Sequence, residues 1–192
     1  MKRRVRRRRR LFLAGGAGFV AVLAIVLGVT GVFNHVIQEL TLPLRHEDII
    51  RQQAKEKNVD ASLIAAVIYA ESRFRDQTSR AGARGLMQIT PTTAKEIERL
   101  SGGTTFRLDD LSDPDINIRY GTFYLAALLN QFEGSEIAAL AAYHAGPTAV
   151  EEWGGSALTL AEIPIEETRG YVEEVLEKQH DYRREYAQEL GY

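Results

Sequence analysis

From His46 onward, apolar residues recur at three- and four-residue spacing, and polar, glycine or proline stops separate the runs. That period predicts amphipathic helices. His46 to Lys57 carries Ile49, Ile50 and Ala54 on one stripe, with Asn58 as the stop. Asp60 reads as the N-cap of a helix over Ala61 to Arg73, whose stripe is Ile64, Val67 and Ile68. Thr90-Pro91 pairs a capping side chain with proline at the first helical position, opening a helix to about Leu100 that Gly102 and Gly103 end. Asp113-Pro114 repeats the signal and predicts the longest core helix, to about Phe132, stopped by Gly134. Ser135 caps Glu136 to Ala145, which Gly146-Pro147 terminates, and Ile165 to about Leu190 is read as a last long helix bent near Gly170. No segment alternates long enough to predict a strand, so the fold class is all-α.

A different pattern precedes these helices. Leu11 to Phe33 is a run of 23 residues without a charged side chain. As a helix rising about 1.5 Å per residue it reaches about 34 Å, enough to cross a hydrocarbon layer of about 30 Å. It is longer than the core of a cleaved signal peptide, so an uncleaved signal anchor is expected, although Val29-Thr30-Gly31 leaves cleavage open. Residues 1–10 hold eight of the 24 basic groups and no acid, which places them in the cytoplasm and everything after residue 33 outside. The organisation is thus a basic tail (1–10), a transmembrane anchor (11–33), a short connector with Pro43 (34–45) and one domain (46–192). The cell membrane is the expected location.

Composition narrows the partners. Beyond the tail, 16 basic groups face 26 acidic ones, a poor surface for gripping phosphates, so no nucleic-acid partner is expected. There is no cysteine, hence neither disulfide nor lipoprotein attachment. His35, His46, His144 and His180 are scattered without ligand spacing, and the loop glycines lack the lysine of a phosphate cradle. No metal and no cofactor are expected.

The candidate chemistry centres on Glu71. On a helix it falls within about 100° of Ile64, Val67 and Ile68, which puts a carboxyl on the inward stripe. Burial there raises its pKa, as a general acid near neutral pH requires. The same residue could equally close a helix-end ion pair with Arg73 or Arg75. After it comes a glycine-punctuated loop, Ser79-Arg80-Ala81-Gly82-Ala83-Arg84-Gly85-Leu86-Met87-Gln88, whose glycines permit close backbone approach and whose Gln88 both donates and accepts. Further on lie Ala142-Tyr143-His144-Ala145-Gly146 and Glu167-Thr168-Arg169-Gly170-Tyr171-Val172.

In this order, Glu71-Ser72, Gly85-Leu86-Met87-Gln88, the Tyr143 segment and the Tyr171 segment resemble the catalytic domain of the soluble lytic transglycosylases. These form glycoside hydrolase family 23 and are related to goose-type lysozyme. The resemblance runs from about His46 to Lys178. It implies a lysozyme-like α domain acting on peptidoglycan glycan strands at the N-acetylmuramic acid to N-acetylglucosamine bond. It implies Glu71 as the single acid/base and 1,6-anhydro product ends. By the same resemblance Ser79, Gly85, Met87, Gln88, Tyr143, His144 and Tyr171 contact or frame the substrate. The chain departs from the pattern at His144, where the family usually has asparagine. Two rival readings remain: a hydrolytic muramidase, which needs a second carboxylate such as Asp109, Asp110 or Asp113 to position water, and an inactive peptidoglycan-binding anchor.

Overall fold

The computed structural model describes residues 41–102 and 107–192. Contacts divide the chain into two compact units, Met1–Pro43 and Leu44–Tyr192. The basic tail, the anchor and most of the connector lie outside the described residues. Among the described residues no helix is long and apolar enough to cross a membrane.

Leu44–Tyr192 is mainly helical, as the spacing predicts. Helix α1 (Glu47–Lys57) has Glu47 and Asp48 in its first turn and Lys55 and Lys57 in its last, complementing the helix dipole, and Asn58 ends it in the left-handed region. Helix α2 (Ala61–Ser72) starts where the Asp60 carboxylate accepts from the backbone N–H groups of Ser62 and Leu63. Every residue from Ala61 to Tyr69 is buried, so α2 is the central helix, apolar on all sides, and the rest of the unit encloses it. Helix α3 (Pro91–Ser101) is capped by Thr90 and ends at Gly102. Helix α4 (Pro114–Gln131) is capped by Asp113, and α5 (Glu136–Ala145) by Ser135.

Two expectations need correction. Gly146-Pro147 does end α5, but Pro147 also occupies the first position of a further helix, α6 (Pro147–Trp153), because a residue without an N–H suits a helix start. The last long helix, α7 (Glu166–Glu185), runs unbroken through Gly170 and stops at Tyr186, after which α8 (Ala187–Leu190) forms one short turn. A Cβ at Gly170 would meet nothing within 4 Å, so no neighbour forces a bend there.

Helix α7 packs along α2, α4 packs on α1 and α5, and α5 also meets α6 and α7. The end of α2 lies beside the start of α7, which carries Tyr171, and α5, which meets α7, carries Tyr143 in its last turn. In the loop between α2 and α3, isolated antiparallel bridges join Thr78 to Arg84 and Arg84 to Ile89. They fold the glycine-punctuated segment back on itself beside the end of α2.

Candidate active site

Glu71 sits in the last turn of α2, where the helix leaves the core. Ser72 is buried and its Oγ donates to the Ile68 carbonyl at 3.1 Å, while Arg73 and Phe74 both adopt left-handed conformations that turn the chain sharply away. The nearest cation in sequence does not neutralise the acid. Arg73 pairs with Glu174 of α7 at 2.8 Å and lies over the Tyr69 ring at 4.2 Å. Glu71 keeps some solvent exposure, yet the groups crowded around it withhold enough water that burial pushes its carboxyl up to about 7. Its place at the carbonyl end of a helix acts in the same direction, since that end of the dipole disfavours negative charge.

Two half-buried tyrosines flank it. The Tyr171 phenol, from α7, is close enough to Glu71 to hold the carboxyl's pKa back against the larger effect of burial, although no partner lies within hydrogen-bond distance of its buried oxygen. The Tyr143 hydroxyl, at the end of α5, donates to the Met87 carbonyl at 2.8 Å, and its ring leans on Tyr124 at 5.7 Å. Burial first, and the Glu71 charge second, push both phenols well above their ordinary range. His144 stacks on Tyr171 with ring centres 4.7 Å apart, and its Nδ1 meets Thr168 Oγ1 at 3.1 Å. Desolvation lowers its pKa, against an opposing pull from Glu167, so the imidazole is neutral at neutral pH.

The loop residues divide by what they touch. Ser79 Oγ accepts from the Ala83 N–H at 3.0 Å, which leaves its own O–H to donate. Both amide hydrogens of Gln88 serve the loop, donating to Gln77 O at 3.1 Å and Gly85 O at 2.8 Å, so Oε1 is the atom left to meet a ligand. Gly85 is buried with φ +73°, and a Cβ there would sit 2.1 Å from Asn117 Nδ2. Its lack of a side chain serves the fold. Met87 is fully buried with its sulfur against Gly121, so its side chain shapes the loop from beneath and offers no surface of its own to a sugar.

An open groove of about 600 Å³ starts at Tyr143 and His144 and continues past Thr90, Thr93, Glu96, Arg99 and Tyr124. Tyr143 borders both this groove and the environment of Glu71. Sequence reasoning missed Asn117, Gly121 and Tyr124. The first two carried a signal, because asparagine and glycine are poor choices for a helix interior and invite the question of what they touch. The three aspartates offered for a hydrolytic mechanism have other work. Asp109 pairs with Arg84 at 2.7 Å, Asp110 accepts from the Arg107 N–H, and Asp113 caps α4.

Fold and site together define a helical domain of one class: a carboxyl raised to about 7 at the end of its central helix, flanked by Tyr143 and Tyr171, the first of which also lines an open groove. Comparison with known proteins gives the family. Residues 48–165 match the transglycosylase SLT domain. The chain is 36% identical over 154 residues to the soluble lytic murein transglycosylase of Salmonella typhimurium, covering 76% of this chain and 24% of that protein. It is 34% identical over 137 residues to the membrane-bound lytic murein transglycosylase C of Edwardsiella ictaluri, covering 60% and 38%. Among solved structures it is similar to an inactive mutant of the lytic transglycosylase Slt from Pseudomonas aeruginosa, with a TM-score of 0.72 and 35% identity over 78% of this chain and 26% of that one. The chain belongs to the SLT transglycosylase domain family. It spans about a quarter of the length of the curated soluble relatives it matches.

Proposed function

We propose that this domain is a peptidoglycan lytic transglycosylase that cuts the bond between N-acetylmuramic acid and N-acetylglucosamine without adding water, with Glu71 as its single acid and base. The observation that carries the proposal is the environment of Glu71: at the end of the central helix α2, between the phenols of Tyr143 and Tyr171, burial raises its carboxyl to about 7. Relatives named lytic murein transglycosylases supply the substrate class.

Protonated Glu71 donates to the glycosidic oxygen, which leaves with the N-acetylglucosamine as a hydroxyl. The muramic C1 that remains is oxocarbenium-like, and the N-acetyl group of the same sugar stabilises it, as in substrate-assisted glycosidases. The Glu71 carboxylate then takes the proton from the C6 hydroxyl, whose oxygen bonds to C1 and closes the 1,6-anhydro ring. Glu71 is protonated again, and the balance involves no water. Tyr171 steadies the carboxyl through its phenol. The free O–H of Ser79 orients the N-acetyl group, Gln88 Oε1 accepts from the sugar, and His144 extends the wall that Tyr143 begins. Gly85 and Met87 contribute the shape of the loop.

We further propose that residues 11–33 hold the chain in the cell membrane with the domain facing the wall. The existence of a membrane-bound relative supports this placement.

Mass spectrometry of digested peptidoglycan tests the reaction. Anhydromuramic ends are expected, and reducing ends heavier by one water would replace the proposal with hydrolysis. Co-sedimentation with wall material without any cleavage would replace it with a binding role.

A further inference from the structure

Asn117 lies one turn into α4 and is completely buried. Its side chain is almost fully committed. Oδ1 accepts from the Met87 N–H at 2.8 Å, and Nδ2 donates to the Arg84 carbonyl at 2.9 Å and the Leu111 carbonyl at 3.0 Å. Both ends of the Gly85–Met87 turn are thereby fixed to one rigid helix. Four residues on, and so on the same face of α4, Gly121 leaves just enough room for Met87: a Cβ there would fall 2.4 Å from Met87 Sδ. The Met87 carbonyl in turn accepts from the Tyr143 hydroxyl at 2.8 Å. Met87 is thus gripped at its N–H, its side chain and its carbonyl, and the third grip is a residue that borders Glu71.

We infer that Asn117 is a positioning residue for the reaction, acting through the Met87 backbone on Tyr143 and thereby on the dry surroundings of Glu71. The inference rests on the reaction proposed above for its kinetic consequence, though not for its structural one. Asn117 touches neither substrate nor acid. A buried amide that satisfies two carbonyls and one N–H is costly to replace, because each abandoned group loses its partner without regaining water. When Met87 shifts, the Tyr143 hydroxyl loses its acceptor, the ring is free to move, and water reaches the Glu71 carboxyl.

Three substitutions in the full-length chain move Met87 or its link to Tyr143 by separate routes: Asn117→Ala removes the first grip, Gly121→Ala pushes on the second and Tyr143→Phe deletes the third. Glu71 is titrated by carboxyl-labelled NMR, its resonance identified by its absence in Glu71→Gln, and kcat and KM are measured on purified glycan strands over a pH series. Each variant is expected to move the Glu71 titration, and with it the falling limb of the pH profile, downward toward the ordinary carboxylate range. The loss is expected in kcat, between about tenfold and a hundredfold, the scale of a small misplacement of reacting groups. Asn117→Ala combined with Tyr143→Phe should be no worse than Asn117→Ala alone. If Asn117→Ala does not fold, Tyr143→Phe, which adds no atom to the core, carries the test, with Gly121→Ala beside it where that variant folds. Multiplying effects in the double variant, or a parental Glu71 titration in folded Tyr143→Phe and Gly121→Ala, would overturn the inference. Should the parent cleave no glycan, the reaction reading fails, while the titrations still decide the positioning role.

Discussion

Replacing Glu71 by glutamine tests the raised carboxyl directly, through stability as well as activity. Folding moves this group from its ordinary 4.5 to about 7, so the folded chain holds the proton more tightly than the unfolded one. The stability from the protonated carboxyl is complete below about pH 4.5 and is lost as pH rises through about 7. At about 1.36 kcal/mol per pH unit, the parent should lose about 3 kcal/mol across that window relative to a variant that cannot ionise. Glutamine has nearly the same shape and stays neutral, so shifts at other groups, such as the lowered carboxyls of Asp60 and Asp181, cancel in the comparison. Urea denaturation of both proteins from pH 4 to 9, followed by the fluorescence of the single tryptophan, Trp153, measures the difference. The residual exposure of Glu71 trims the figure, but the variant should overtake the parent by at least about 1 kcal/mol at pH 8. Activity should fall in the parent as pH rises through about 7, whereas Glu71→Gln should be lower by about 10²–10⁴-fold below that pH, with the gap narrowing above it as the parent's acid ionises. Parallel stability curves for the two proteins would show that the carboxyl is not held protonated by the fold, and the acid role would lose its basis.

Other expectations follow from named contacts. His144→Asn and the parent should show overlapping cleavage profiles between about pH 7 and 8, since the imidazole is already neutral there and its lowered pKa confines any charge to more acid solution; divergence above pH 7 would refute this. Gly85→Ala combines a left-handed backbone with a collision against Asn117, and thermal denaturation should register a loss of about 3 kcal/mol or more. If residues 11–33 anchor the chain, it should fractionate with membranes at full mass, and deleting Lys2 to Arg10 should disturb its orientation far more than the activity of the purified protein; recovery of a soluble form starting near Val32 would overturn the anchor.

What the sequence revealed was local. Asp60, Thr90-Pro91, Asp113-Pro114 and Ser135 announce helix starts because a cap and its N–H partners lie within three residues of each other. Glu71 was legible for a related reason: its face is set by Ile64, Val67 and Ile68 on its own helix. Gly146-Pro147 misled because the same pair can end one helix and begin the next. The burial of Met87 and the importance of Asn117 depend on contacts across 30 positions, which no periodicity within one element encodes. The same holds for Arg73. Two residues from Glu71, it looks like a neutralising partner, and only the packing of α7, 101 positions away, gives it another.

That diversion of Arg73 leads to a last prediction. An acid that must be protonated near pH 7 needs the cation two residues away to be occupied elsewhere, and Glu174 occupies it at 2.8 Å while the Tyr69 ring holds its other side. Glu174→Gln removes the charge that retains the guanidinium and at the same time removes an anion from the side of α7 that carries Tyr171, whose phenol it helps to raise. Both changes favour the ionised form of Glu71, so its pKa should fall and the falling limb of the pH–activity profile should move to lower pH. The pair is partly exposed, with 46% and 36% of the two side chains open to solvent. The cost to stability should therefore stay within about 1 kcal/mol, and the effect on the reaction can be read in a well-folded protein. A stable Glu174→Gln variant whose limb coincides with the parent's would mean that burial alone governs the acid and that Arg73 has no reach to it.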